Sequence, residues 1–213
     1  MLVAGEASGD MLAGELVSAL RASETLTRNP FPPEFFGAGG PRMAAAGVDL
    51  AIDLTEHAIF GISDVLAQYF KFKRIFDNLF RLALERQPDV IIVVDFSGFN
   101  RRFASAIKGY VRDCAGRFIN WRPKVVYYVS PQVWASREAR AYQLARDVDL
   151  LLSIFPFEKS WYAGRVPQLR VEFVGNPLID RYVRAGGGPA RGLRPKPSHL
   201  TALAGSPMVA DVF

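Results

Sequence analysis

Val90-Ile91-Ile92-Val93-Val94 is an unbroken run of β-branched residues that leads directly into a carboxylate, Asp95. A strand buried on both faces reads this way, so Asp95 falls at the mouth of a sheet. Partial removal from water there would make it a better base, able to take a proton from an alcohol. The position also suits a cap on the next helix or a bond to loop amides, and the residue alone leaves these readings open. Other polar groups stand after other apolar runs: Glu6, Ser8 and Asp10, then Asn100, Ser130 with Gln132, and Glu158. In the first of these, Gly5-Glu6-Ala7-Ser8-Gly9-Asp10, the glycines let a ligand approach the backbone. Ser8 and Asp10 can cap a helix that starts there. Free N–H groups at such a helix start suit an anion such as phosphate. A capped turn without a ligand fits the same residues, and the G-x-G-x-x-G dinucleotide fingerprint is absent.

These groups need a scaffold that gathers them, and the chain alternates accordingly. Strands are expected at 2–4, 34–37, 48–54, 90–94, 124–129, 150–154 and 171–174, the third reading as an edge. Helices are expected at 11–21, 42–46, 63–87, 101–112 and 137–146, with a short one opening at 156–159. Strands separated by helices imply βαβ units and a Rossmann-like parallel sheet with helices on both faces. In such a sheet, ligands collect at the carboxyl ends of the strands, where every polar group named above lies. From Ala185 onward Gly, Pro, Arg and Ser dominate, so 1–184 reads as the folded lobe and 185–213 as a linker or disordered tail.

The chain of 213 residues carries a net charge of +5, which favours an anionic partner. A nucleic-acid module is disfavoured because the basic residues are scattered and no helix-turn-helix, zinc or aromatic-platform signature occurs. The single cysteine, Cys114, excludes an internal disulfide and reads as a buried structural thiol. His57 and His199 are isolated and build no metal site. No secretory signal or membrane-spanning run is present in the sequence.

Six segments occur in a fixed order: 5–10 (GEASGD), 39–43 (GGPRM), 95–100 (DFSGFN), 128–135 (YVSPQVWA), 155–159 (FPFEK) and 173–177 (FVGNP). Together they resemble the lipid-A-disaccharide synthases, inverting glycosyltransferases of lipopolysaccharide synthesis with the two-lobed GT-B fold. The likeness covers roughly residues 2–180, the N-terminal lobe. It implies transfer of diacylglucosamine from UDP-2,3-diacylglucosamine to 2,3-diacylglucosamine 1-phosphate, giving a β-1,6 linkage and UDP, with no metal or cofactor. It also implies that Asp95, matching the aspartate of a D-x-x-x-F-N motif, is the general base. Glu6, Ser8, Gly9, Asp10, Asn100, Ser130, Gln132 and Glu158 then become substrate-cleft residues. A place in the cytoplasm on the inner face of the membrane follows from the likeness, and a homodimer stays open.

The likeness departs at Ser136, where tryptophan is common, at Asn176, where histidine is frequent, and at Pro207, where an arginine is expected. The first strand looks shortened, and the chain stops near the expected start of the second lobe. These points lead to the expectation of an incomplete copy that is inactive by itself. A non-catalytic nucleotide- or lipid-binding module is the alternative. In 63–87, Val65, Tyr69, Phe72, Phe76, Leu79 and Ala83 form an apolar seam that Leu66, Phe70, Phe80 and Leu84 widen. Phe70, Phe72, Lys71, Lys73 and Arg74 could meet an anionic membrane surface. Burial of the same arc inside the fold is the competing reading.

Overall fold

The computed structural model describes residues 1–23, 30–55, 65–117 and 119–184, with side chains for all of these except 65–69, 180, 183 and 184. Continuous aliphatic segments become strands β1 (Leu2–Ala4), β4 (Val90–Val94), β5 (Lys124–Tyr128) and β6 (Leu150–Ser153). They are joined by β2 (Phe36–Gly39), β3 (Asp49–Asp53) and β7 (Arg170–Phe173). All pair in parallel, in the order β3-β2-β1-β4-β5-β6-β7, the Rossmann-like arrangement expected. Between them lie α1 (Ala7–Arg21), α2 (Pro41–Ala45), α3 (Val65–Arg86), α4 (Ser97–Asp113), α5 (Val133–Ser136), α6 (Arg140–Asp147) and α7 (Glu158–Ala163). The helix α8 (Pro177–Arg184) ends the described region.

Alternate residues of each strand face opposite sides, as the pleat requires. Ile91, Val93, Val125 and Tyr127 pack against Ile75 and Leu79 of α3 and Phe103 and Ile107 of α4. Leu2, Ala4, Ile92 and Val94 pack against Leu16, Val17 and Leu20 of α1 and Met43 of α2. The sheet is therefore covered on both faces, and β3 forms its half-exposed edge.

Several boundaries differ from the sequence reading. Gly39, expected to follow β2, lies within it, and Gly37 sits directly against the Leu2 backbone of β1. Helix α4 begins at Ser97 rather than 101, immediately after a left-handed Phe96. The turn α5 precedes α6 as a separate helix. Most of the wide apolar arc on α3 is used internally: Ile75, Leu79 and Ala83 are buried, and Phe76 meets Phe99 and Phe103 edge-on at 5.5 and 5.7 Å. Phe72, expected at the membrane surface, is half-buried with its ring 6.2 Å from Phe96, whereas Phe70 is exposed. Cys114 is buried at the end of α4. Residues 185–213, His57, His199 and the side chains of Val65, Leu66 and Tyr69 lie outside the described residues. Among the described residues no helix is long and apolar enough to cross a membrane.

Helix α1 starts one turn before expected, at Ala7, so Ser8 and Asp10 are inside it and neither caps it. Asp10 reaches across instead. Its Oδ1 accepts the Gly40 and Met43 amides at 2.8 and 3.0 Å, and its Oδ2 accepts the Arg42 amide at 3.0 Å. A side chain of α1 thus caps α2, with its charge at the positive end of that short helix. The two helices can approach this closely because a Cβ at Gly14 would stand 2.8 Å from the Arg42 carbonyl oxygen. Replacing Asp10 with alanine strands three amides, two of them buried, so Asp10→Ala should destabilise the fold by about 2–4 kcal/mol. Urea denaturation checks this, and a loss well under 1 kcal/mol would deny the clasp its role.

Candidate functional site

Strand order reverses between β1 and β4, and the two strands leave their helices on opposite faces. Such a switch point opens a crevice beyond the carboxyl ends of the strands. Ala4 pairs with Val94, so the Gly5–Asp10 and Asp95–Asn100 turns stand side by side. They touch: a Cβ at Gly5 would lie 2.1 Å from the Phe96 ring, a contact only glycine allows.

The main chain around Asp95 is held in an unusual shape. Asp95 and Phe96 have φ of 51° and 43°, and Val129 at the neighbouring end of β5 has 65°. Left-handed non-glycine residues are strained and persist where their surroundings over-determine them. Here the Asp95 amide donates to the Tyr128 carbonyl at 3.0 Å. The Asp95 carbonyl accepts the Tyr127 hydroxyl and the Asn100 Nδ2, both at 2.9 Å. Among the described residues the half-buried Asp95 carboxylate itself takes no hydrogen bond or ion pair, and the cap position of α4 is filled by Phe96 without side-chain capping. The cap reading of Asp95 is thereby removed.

The other expected cleft residues divide into two groups. Glu6, Ser8 and Gln132 are exposed beside the carboxyl ends, and Gly9 is buried within the first turn of α1. The N–H groups of Ala7, Ser8 and Gly9 occupy that turn, where no intrahelical acceptor precedes them. Asp10, Asn100, Ser130 and Glu158, expected to line the cleft, are instead buried and bonded inside the lobe. Asp10 clasps α2. Asn100 Nδ2 also donates to the Val94 carbonyl at 3.0 Å and the Val3 carbonyl at 3.5 Å, tying β1 to β4 just below the crevice.

Glu158 organises the outer end of β5 and β6. Its Oε1 accepts Trp134 Nε1 at 2.8 Å, and its Oε2 accepts the Ser153 hydroxyl. Ser130 Oγ lies 3.3 Å from the Tyr162 hydroxyl. Trp134 is fixed edge-on to Phe157 at 5.0 Å, and Phe155 stacks on Phe157 at 5.9 Å. Burial without a cation raises the Glu158 carboxyl above the usual glutamate range, an effect only partly offset by bonds from Ser153, Trp134 and Ser130. Burial likewise raises the Tyr162 hydroxyl to about 12, which keeps it a neutral hydrogen-bonding partner. The roles of Trp134, Ser153 and Tyr162 were not assigned from sequence, although Trp134 stood in a recognised segment and Ser153 ends a leucine run.

The model of the family described as lipid-A-disaccharide synthetase matches residues 1–206. The chain belongs to the lipid-A-disaccharide synthase family. Relatives include the lipid-A-disaccharide synthases of Geobacter metallireducens, 44% identical over 184 residues, and Myxococcus xanthus, 41% over 181. Lipid-A-disaccharide synthase 1 of Legionella pneumophila (strain Lens) is 36% identical over 187. These alignments cover 85%, 85% and 87% of this chain but 42%, 42% and 44% of the relatives. The chain thus spans about two-fifths of the length of the curated relatives it matches. The family consists of glycosyltransferases of lipid A biosynthesis with the GT-B fold, and the seven-stranded sheet accords with a lobe of that fold.

The Glu158 environment predicts a pH signature. A carboxyl raised by folding contributes its full stability below the ordinary glutamate range and loses it as pH rises through the raised value. Glu158→Gln mimics the protonated form, so its stability relative to the parent should increase as pH rises through the ordinary glutamate range and level off above the raised value. Parallel pH profiles in urea denaturation would show that Glu158 ionises as freely folded as unfolded.

Proposed function

We propose that this lobe carries the acceptor side of a β-1,6 glycosyl transfer in lipid A synthesis. The observation that supports this most is the Asp95 carboxylate at the switch-point crevice, partnerless among the described residues, in a family of lipid-A-disaccharide synthases. The donor is UDP-2,3-diacylglucosamine and the acceptor 2,3-diacylglucosamine 1-phosphate. Asp95 takes the proton of the acceptor 6-hydroxyl as that oxygen attacks the anomeric carbon. The new C–O bond forms on the face opposite UDP, the bond to UDP breaks, and its electron pair leaves with the diphosphate. Configuration therefore inverts, and no metal is needed in this scheme. The first-turn N–H groups of α1, with Glu6, Ser8 and Gln132, supply donors and acceptors that hold substrate in the crevice.

The strained Asp95–Phe96 backbone serves this scheme by aiming the carboxylate outward without using it for support. The buried Asn100 and Asp10 keep the two turns in place and act as positioning residues. Substrates with several acyl chains must be met at a membrane surface. Phe70 is exposed on α3, beside a groove of about 450 Å³ lined by Ile52, Phe70, Lys71, Arg74, Ile75 and Asn78. Lys73 lies next to these residues but bonds Asp77 at 2.9 Å. An apolar ring with cations around it suits an anionic bilayer on the cytoplasmic side.

Two measurements test this reading. With residues 1–184 replacing the matching part of the Geobacter metallireducens synthase, Asp95→Asn should lower kcat by about 10²–10⁴ and leave acceptor KM nearly unchanged. Retention of full turnover would remove Asp95 as the base. Phe70→Ser should reduce co-sedimentation of the chain with phosphatidylglycerol vesicles at low salt, and equal sedimentation of parent and variant would remove the α3 membrane contact.

A further inference from the structure

Four arginines stand together at the tops of α4 and α6. Arg101 and Arg102 lie in the second turn of α4, Arg140 begins α6, and Arg137 ends α5 one turn earlier. The two helices are packed side by side: Arg101 Nη1 bonds Gln143 Oε1, and Arg146 Nη2 bonds Ser105 Oγ at 3.3 Å. Gln143 is three residues beyond Arg140, on the same side of α6.

Nothing acidic answers this charge among the described residues. Arg102, Arg137 and Arg140 have no side-chain hydrogen bond or ion pair there, and the buried Arg101 Nε has no acceptor. Glu138, the acid nearest in sequence, points to Arg165 at 3.3 Å. Neither α4 nor α6 has an acidic residue in its first turn. The Arg140 guanidinium falls below the usual arginine range, through burial first and then through repulsion by Arg101, Arg137 and Arg102.

Stability alone would not select this pattern. Cations near helix N-termini oppose the helix dipole, and four like charges repel one another. At the opposite ends of the same helices the chain follows the usual rule: Arg112 and Arg146 share Asp147, and Lys108 pairs with Asp149. An anion among the four guanidinium groups would offset the mutual repulsion and the unfavourable dipoles together. Arginine also presents paired N–H groups that match a phosphate's oxygens, which lysine does not.

We propose that Arg101, Arg102, Arg137 and Arg140 form a cradle for a phosphate monoester. The cradle opens on the end of the sheet that holds the candidate base. Arg101 acts electrostatically on the Tyr127 hydroxyl, which in turn bonds the Asp95 carbonyl. Arg101 lies four residues, or ~6 Å of helix rise, beyond the start of α4. That is the scale of one hexose. A glucosamine 1-phosphate with its 6-hydroxyl at Asp95 carries its phosphate on the anomeric carbon, across the ring oxygen from the carbon that bears the hydroxymethyl group, and so a few ångströms away, toward the arginines. This assignment of the phosphate to the acceptor sugar rests on the function proposed above, whereas the cradle itself rests on the arginines.

Calorimetric titration of the 213-residue chain tests both parts, with N-acetylglucosamine 1-phosphate, N-acetylglucosamine and inorganic phosphate as probes. The two phosphates should bind and the neutral sugar should not. Arg137→Gln/Arg140→Gln should weaken phosphate binding at least tenfold, while Arg137→Lys/Arg140→Lys should keep part of it. Arg170→Gln, on β7, should change nothing, and circular dichroism should match the parent for all variants. Equal phosphate affinity in the parent and the glutamine pair would overturn the cradle. If only phosphatidylglycerol vesicles bind, and the glutamine pair abolishes that binding, the arginines meet a phosphodiester lipid headgroup and the monoester cradle is overturned. An unsubstituted Geobacter chimera without turnover, with phosphate binding intact, would count against the transferase scheme alone, and a chimera that turns over, with equal phosphate affinity in the parent and the glutamine pair, against the cradle alone.

Discussion

The structure depends on the junction of β1 and β4. Two adjacent parallel strands end at the same level, and their helices depart to opposite faces, so a crevice opens where no main chain crosses. Keeping it open requires the two strand ends to stay in register while their loops separate. The Asn100 amide does this from below by bonding carbonyls of both strands, and the Gly5–Phe96 contact does it from the side. Every other feature of the site is referred to this junction.

Buried and exposed polar groups accordingly do different work. A carboxylate removed from water must be satisfied internally, and Asp10 is satisfied by three amides of α2. Glu158 is satisfied by hydroxyls and an indole N–H, at the cost of a raised pKa. These two acids set the positions of a glycine-rich turn and an aromatic wall. Asp95 is the contrasting case. Its main chain is fully engaged and its side chain is left available, which is the division expected of a reacting group on a rigid support.

Much of this was legible in the sequence because burial leaves a strong mark on composition. The β-branched run at 90–94 could hardly be anything but an interior strand, and the alternation of strands and helices fixed a parallel sheet. Direction was less legible. Asp10, Asn100, Ser130 and Glu158 follow apolar segments just as Asp95 does, and position after a strand does not say whether a side chain turns inward. The Asp10 bond spans 30 to 33 residues, and no local pattern signals it. The left-handed Asp95, Phe96 and Val129 were hidden for a related reason: local preference argues against them, and only tertiary bonds hold them there. The start of α4 was misplaced because a six-residue motif read as a loop when its last four residues are helical.

The distribution of charge gives the layer a polarity that length and net charge do not convey. Toward the amino ends of the strands, acids and bases meet: Asp49 with Arg86, Asp149 with Lys108, and Asp147 with two arginines. Toward the carboxyl ends, Asp95 and four arginines are left unmatched among the described residues. Surface pairs contribute little stability individually, so the neutralised end is unremarkable energetically. The unmatched end is different, because its repulsion and unfavourable dipoles remain in the folded state with nothing among the described residues to offset them. A ligand bearing both a phosphate and an ionisable hydroxyl would complement the two kinds of free charge together. The physical asymmetry of the sheet therefore points to the same edge as the topology, by an argument that uses neither strand order nor motif.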